Sequence, residues 1–434
     1  MRYLEKGVRI STMLKETVVV DELLGQGGRA DVYRVQYKEK PAALKLFKPG
    51  SVQTSEMQHL QKLVKRWQPS DRFLWPLDVV ASGQHDGFVM PLLSPEYKAF
   101  SDLLNSRISV DFASFRAAVT AALELAQTYR ELHAKAFIFP YLSPFELMIK
   151  PETGSILIGN GEETLADGET SNLCCLPRFS APEIVRGEGK PSVYTDRYSL
   201  ALLIFMLLTR THPLEGRRYF CSTLMTPEQE KQFYGTDPRF ILDPDDDSNC
   251  PVAGVQIAIG KVWPELPDYM KKMFTRQFGK DVLMDPKKRA TETEWLKLLL
   301  RFRSEIIPCA ACGAESFGWG SDAANPVCSC CGKRLPVQRY AKSSRIDYSI
   351  PLMPGTAIYR SQLAAGSIDA FGAPILIVRR HPKDESILVM TNVSAEELTI
   401  MRENEPKKTV PPKGSFAAVP GTRAEAFGGA LVIF

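Results

Sequence analysis

The 434-residue sequence predicts an α+β chain built in three unequal parts. Three observations carry that reading. Short apolar runs separated by turn residues fill 15–48, and a helical period takes over from 112, so a small sheet precedes a mostly helical body. Two Cys-x-x-Cys-Gly units lie close together at Cys309–Gly313 and Cys328–Gly332, a spacing that suits metal binding. From 350 to 434, strand-like runs recur between Gly and Pro, the pattern of a small all-β sandwich or barrel. At about 150 residues per domain, the length accommodates roughly three such parts.

The elements follow in order. Val18–Val20, Asp31–Val35 and Ala42–Leu46 read as strands of a meander. Phe112, Phe115, Ala118, Ala122, Leu125 and Leu132 recur at helical spacing over 112–134, and further helices are expected at 196–210, 266–278 and 291–305. The first domain therefore ends near 305. The cysteine segment occupies 306–335, and a polar stretch with Arg339, Lys342 and Arg345 makes 336–349 a linker. Strands are then expected at Ile375–Val378, Ile387–Met390, Glu397–Ile400, Phe416–Val419 and Leu431–Phe434. No internal repeat is visible.

Composition removes several function classes. Hydrophobic residues make up 44% and charged residues 24%, as in ordinary globular chains. A net charge of +4, from 54 basic and 50 acidic residues, makes no bulk electrostatic case for nucleic acid. Five histidines leave little room for His-based metal or acid–base chemistry. The first residues, Met1-Arg-Tyr-Leu-Glu-Lys, carry charge where a secretory signal is apolar. The longest apolar run, Leu200–Leu208, has nine residues, too few to cross about 30 Å of hydrocarbon, and reads as a buried core helix. The expectation is a cytoplasmic protein with no membrane or nucleic-acid partner, whose Cys174, Cys175, Cys221 and Cys250 stay reduced.

Leu24-Gly25-Gln26-Gly27-Gly28-Arg29-Ala30-Asp31-Val32-Tyr33 is a glycine-rich turn between two predicted strands. Glycines let backbone N–H groups approach phosphates closely. No helix follows, so this is not a dinucleotide fingerprint. Lys45 comes twenty residues after Gly25, on the third predicted strand, as in proteins that hold ATP phosphates with a strand lysine. Further along stand Ala181-Pro182-Glu183, Asp196-Arg-Tyr-Ser-Leu and Asp285-Pro-Lys-Lys-Arg289. These match, in order, the A-P-E element, the aspartate that braces the catalytic loop, and the late arginine that pairs with the A-P-E glutamate. Over about 290 residues the chain resembles the protein-kinase superfamily, which implies a bilobal fold with an N-lobe at about 10–92 and a C-lobe at about 93–305. Gly25, Gly27, Gly28 and Lys45 are then the candidate nucleotide-binding residues.

Arg72-Phe-Leu-Trp-Pro-Leu-Asp, Pro177-Arg-Phe-Ser-Ala-Pro-Glu-Ile-Val-Arg-Gly-Glu, His212-Pro-Leu-Glu-Gly and Phe240-Ile-Leu-Asp-Pro-Asp-Asp resemble one bacterial branch of kinase-like proteins, found with tellurite-resistance and stress genes. That branch also carries a C-terminal cysteine cluster and a small β-domain. The resemblance implies two protein partners, a von Willebrand A-type domain protein and a PP2C-type phosphatase, in a stress or defence response.

The catalytic positions depart from the kinase pattern. Leu132-His133 sets the register of the catalytic loop, whose H-R-D triplet here reads Phe139-Pro140-Tyr141. Tyr141 stands where the proton-accepting aspartate belongs, and a phenol with an unperturbed pKa near 10 is a poor base at neutral pH. Glu146 replaces the metal-binding asparagine. After the strand Ser155–Ile158 the metal-binding triplet reads Gly159-Asn160-Gly161, and Gly159 has no side chain to offer magnesium. About 16 to 19 residues beyond Lys45, where the superfamily places a glutamate for the lysine, the chain reads Gln61-Lys62-Leu63-Val64, and Glu56 comes earlier. These losses read as a pseudokinase: a catalytically inactive scaffold for protein–protein interaction, keeping the Glu183–Arg289 pair and the Asp196 anchor. The alternative is an atypical ATP-dependent Ser/Thr protein kinase, or another nucleotide-dependent transferase, using Lys45 with Glu146 or Glu162. Structurally paired carboxylates at those two positions are the plainer expectation.

Cys309-Ala-Ala-Cys312-Gly and Cys328-Ser-Cys-Cys331-Gly supply four thiolates that can close a tetrahedron around one structural zinc, each glycine permitting a tight turn. A segment of about 30 residues is too small to build its own core. Cys330 reads as a bystander able to replace a neighbour. Ala314, Glu315, Ser316, Phe317, Ser321 and Asp322 give the loop no basic face, so a docking or spacer role is expected. The ending Gly428-Gly429-Ala-Leu-Val-Ile-Phe434 resembles the last hairpin of forkhead-associated sandwiches. That resemblance implies phosphothreonine reading by loop Arg and Ser, with Arg360-Ser361 and Asn392-Val-Ser394 as candidates. An interaction sandwich that reads no phosphate is the favoured reading.

Overall fold

In the computed structural model, residues 4–81, 85–105, 111–169, 176–221, 225–317, 327–335, 337, 339–364 and 373–434 are described. Cys174, Cys175, Ser321 and Asp322 lie outside them. The chain divides into two compact units, one of Met1–Ala113, Glu131–Leu203 and Glu230–Thr236, the other of Ser114–Arg130, Ile204–Gln229 and Asp237–Phe434.

The first unit begins with a six-stranded antiparallel sheet. Its strands are β1 (Arg9–Ser11), β2 (Thr17–Gln26), β3 (Ala30–Tyr37), β4 (Lys40–Phe47), β5 (Asp78–Ala81) and β6 (Asp86–Pro91), in the order β1-β2-β3-β4-β6-β5. The three runs read as strands lie inside β2, β3 and β4. β1 precedes them, so Lys45 sits on the fourth strand, opposite Val32 of β3 and Phe88 of β6. One face buries Val18, Val20, Val35, Leu44 and Val89. The helix α1 (Thr54–Val64), which the apolar pattern did not disclose, buries Met57 and Leu60 against Val79 and Phe88. Short strands at Leu147–Ile149 and Ile156–Ile158 form a hairpin. Phe73 bridges to Ile158, and Leu74 N–H donates to the Ile158 carbonyl at 2.9 Å.

Four of the expected helices appear as Phe115–Ala134, Val193–Thr209, Asp268–Phe278 and Glu292–Glu305. Leu200–Leu208 is buried throughout, as a core helix requires, and no described helix is long and apolar enough to cross a membrane. In the second unit Phe205 meets Phe240, Phe274 and Phe278 with ring centroids 5.0–5.8 Å apart. Glu183 of the first unit and Arg289 of the second are each buried.

The C-terminal strands form two antiparallel sheets. One runs Ile350–Pro351, Tyr340–Ser343, Gly429–Ile433, Arg423–Ala426, Leu398–Met401, Lys408–Val410, and the other runs Ala357–Tyr359, Pro374–His381, Asp384–Asn392, Ser415–Ala417. Ile358, Leu376, Met390, Leu398, Leu431 and Ile433 share one core. Part of the segment read as a linker is built into this domain: Tyr340–Ser343 pairs with the last strand, Ala341 opposite Ile433. The polar residues that suggested a linker alternate with buried Tyr340, Ala341 and Ser343, and four residues are too few for a strand period to show. Thr391–Asn392 lies at a strand end, and Asn392 is spent inside the protein, donating to the carbonyls of Glu396 and Val410.

Asp196, on the first turn of Val193–Thr209, is fully buried. Its Oδ2 accepts the Phe139 N–H at 2.8 Å and lies 3.0 Å from His133 Nε2. One carboxylate oxygen thus ties the helix to the loop that follows His133. Replacing it strands buried donors, which costs about 1–3 kcal/mol for a buried group and more for a charged one. Asp196→Ala is expected to lower stability by about 3 kcal/mol in urea denaturation, and Asp196→Asn by less.

Candidate functional site

The glycine turn, α1 and the segment after Ile158 surround a cleft of about 1120 Å³, lined by Gly25, Gly27, Arg29, Lys45, Glu56, Glu162 and others. The backbone turns tightly between β2 and β3, with Gly27 N–H donating to the Ala30 carbonyl at 2.8 Å. The turn is also fastened from outside. Arg29 Nη2 donates to the Ser51 carbonyl at 2.9 Å and to Glu56 at 2.7 Å. Glu56 Oε2 accepts the Gln53 N–H at 2.8 Å at the start of α1. Glu56 therefore serves Arg29 and the helix end.

Lys45 finds its counter-charge elsewhere. Its Nζ forms an ion pair with Glu162 and donates to Asn160 Oδ1 at 3.1 Å. The side chains of Lys45 and Glu162 are 19% and 9% exposed, so each needs the other. The sequence placed the degenerate metal position on Gly159. The residue that reaches Lys45 is Asn160, one position later, at a left-handed φ of 52°. Gly159 instead donates its N–H to the Glu146 carbonyl at 2.7 Å. Gly161 has its own reason: a Cβ there would sit 2.6 Å from the Leu74 carbonyl oxygen. That contact packs the turn against the Arg72–Leu74 segment, and no side chain fits.

Three carboxyls gather around this turn in different states. Glu146 accepts from the backbone N–H (3.1 Å) and the hydroxyl of Ser143, and burial raises its pKa. Glu163, which the sequence reading did not single out, lines the main cleft and a smaller neighbouring cavity that also holds Tyr141, Ser143 and Glu146. Burial, then the nearby Glu162 charge, pushes its pKa up to about 8. Its only sequence signal was adjacency to Glu162. Phe139 is buried with its ring 5.7 Å from Phe73, and Pro140 and Tyr141 line the smaller cavity.

Glu162 neutralises Lys45, Glu146 is bound to Ser143, and Glu163 keeps its proton at neutral pH. Among the described residues, the one group of three or more His, Cys, Asp or Glu ligand atoms lying within 4.8 Å of one another is Cys309, Cys312, Cys328 and Cys331.

Those four cysteines do fit a metal. Sγ atoms of Cys309 and Cys331 are 3.7 Å apart, and those of Cys312 and Cys328 3.6 Å. A zinc–sulfur distance of about 2.3 Å implies tetrahedron edges of about 3.8 Å. The two knuckles repeat one geometry. Cys309 and Cys328 N–H groups donate to the carbonyls of Ala314 and Lys333, both at 2.8 Å, and Gly313 and Gly332 carry φ of 75° and 68°. Backbone N–H donation from Cys331 lowers the Cys328 thiol to about 6, while the neighbouring thiols push Cys312 up to about 12. Cys330 is exposed and stands outside the four. Cys221 and Cys250 are free thiols.

The ribbon is fastened within its unit. Glu315 Oε2 accepts the N–H groups of Phe115 (2.5 Å) and Arg116 (3.1 Å), capping the helix Phe115–Ala134. A carboxylate at a helix start also faces the positive end of the helix dipole. Phe317 stacks on Phe115 with centroids 4.7 Å apart and meets Phe302 edge-on at 5.4 Å.

A family model for the protein kinase domain matches residues 18–298, a span that contains the glycine turn, Lys45, Asp196 and the Glu162 turn.

Two outcomes are expected here. Chelating metal from the purified protein should raise hydrogen exchange at amides 115–118 as well as in the knuckles, and Glu315→Ala should raise it at 115–118 with the metal retained. For Glu163, the unfolded carboxyl ionises near its usual 4.5 while the folded one holds its proton to about 8. The native state then binds the extra proton, so stability falls as pH rises through that window. Glu163→Gln should remove this loss, gaining about 1 kcal/mol or more over wild type at pH above 8 relative to pH 5 in thermal melts.

Proposed function

The chain belongs to the protein kinase domain family, and we propose that it is a catalytically inactive member serving as a protein–protein interaction scaffold. The observation that carries this reading is the state of Lys45. Its ammonium is neutralised by Glu162 and hydrogen-bonded to Asn160, in the region where the family holds the metal that bridges ATP phosphates. Phosphoryl transfer depends on metal ions neutralising developing charge and on an aspartate orienting the nucleophile. Tyr141 in the base position and Glu146 held by Ser143 supply neither. The Cys309/Cys312/Cys328/Cys331 set, holding one structural zinc, and the two-sheet C-terminal domain add surfaces for partners. By the sequence resemblance these partners are a von Willebrand A-type domain protein and a PP2C-type phosphatase, in a bacterial stress or defence complex of the tellurite-resistance kind.

One observation favours a second reading. The cleft beside Lys45 is open and large, and the proton on Glu163 gives it a group able to exchange a proton near neutral pH. On this reading the protein is an atypical ATP-dependent Ser/Thr kinase or another nucleotide-dependent transferase, with Lys45 and Glu146 or Glu162 in the site. Titration with ATP, alone and with magnesium or manganese, followed by thermal melting, separates the two. The scaffold reading expects no metal-dependent shift in wild type. A tight metal-dependent shift that disappears in Lys45→Ala would replace it with the second.

A further inference from the structure

Trp67 is 91% exposed, more than any other exposed large apolar side chain among the described residues. It follows α1 in the run Lys65-Arg66-Trp67-Gln68-Pro69. The fold has a way to house a tryptophan nearby: Trp75 is buried, with its Nε1–H donating to the Leu63 carbonyl at 3.3 Å. Trp67 is held out while the chain on both sides of it is fixed. Arg66 N–H donates to the Leu63 carbonyl at 2.9 Å, and the Arg66 guanidinium lies 5.6 Å over the Phe137 ring. Lys135 Nζ donates to the Gln68 carbonyl at 3.0 Å, and Pro69 and Ser70 are buried. The indole is therefore presented on a rigid base, which lowers the ordering cost of inserting it into a partner.

The surroundings state the partner's charge. Lys62, Lys65, Arg66 and Lys135 are all exposed, and the carboxylate in the same segment, Asp71, lies 3.8 Å from Arg72. An exposed tryptophan in one run with exposed Lys62, Lys65 and Arg66, next to the Gln68 that Lys135 bonds, has the composition of an interface anchor with a charged rim, where the aromatic supplies affinity and the rim supplies steering. We propose that Trp67 is the anchor of a docking surface for another protein, inserted into an apolar socket rimmed by Asp and Glu. The proposal supplies the chemistry of a partner for the scaffold and does not depend on whether the cleft binds nucleotide, because Trp67 does not line that cleft.

The test places a photo-reactive benzoylphenylalanine at position 67 of the full-length chain in its native host and identifies the cross-linked peptide by mass spectrometry. The expected peptide carries Asp and Glu around the linked site, and Lys65→Glu with Arg66→Glu cuts its yield about tenfold or more. That peptide, synthesised, should bind purified full-length protein more weakly as salt rises from about 50 to about 300 mM. Trp67→Ala should weaken it about tenfold or more while leaving the melting temperature and the ATP titration unchanged. Cross-links insensitive to charge reversal, cross-links to a second copy of this chain, or none at all would overturn the proposal. So would Trp67-dependent binding to vesicles containing about 30% phosphatidylserine, which would assign the surface to an anionic membrane instead.

Discussion

Lys45 lies on the central strand of the first sheet, mostly out of water, and a buried ammonium must be paired or lose its charge. The pairing with Glu162 organises everything around the cleft. The counter-charge comes from the turn after Ile158, and Glu56 clamps Arg29 and caps α1 instead. The glycine turn is consequently fastened to Ser51 and Glu56 through Arg29. Glu163 retains its proton chiefly because it is buried, with the Glu162 carboxylate beside it adding to the effect. The lysine thus has its counter-charge on one side of the cleft, and the glycine turn has its fastening on the other.

The same economy appears in the second unit at the cysteine ribbon. About thirty residues carry four thiol ligands and a core of only Ile307, Cys309, Cys328 and Leu335 with a few partly buried neighbours. Docking against the rest of the unit has to stabilise what that core cannot. Docking runs through Glu315 and Phe317, one polar and one aromatic contact at the start of a single helix. Cys312, one of the four clustered thiols, and Glu315, which caps that helix, are three residues apart.

Several strands and helices and the cysteine set were legible because their signals are local. Strand alternation, the helical period of 112–134, the nine-residue apolar run and the Cys-x-x-Cys-Gly spacing each sit inside one element, where periodicity reports burial directly. Several elements were missed for the complementary reason. α1 buries only Met57, Leu60 and Leu63 along its length, too sparse a stripe to stand out. Tyr340–Ser343 becomes a strand because the last strand lies beside it, a partner almost ninety residues away that no local pattern names.

The amino-acid sequence by itself determined which residue types follow His133 and Ile158: Tyr141 and Glu146 after the first, Gly159-Asn160-Gly161 after the second. It also determined the four-cysteine set, because ligand identity and tight turns are covalent facts of spacing. Only the tertiary structure decided what those residues do. Asn160, at a left-handed φ beside a Gly161 packed closely on Leu74, reaches Lys45 with its side chain. Glu162 pairs with the lysine while Glu163, its neighbour, stays protonated, because burial and through-space charge differ between adjacent side chains pointing different ways. Identity is written along the chain, but charge state depends on distances across it, and those exist only after folding.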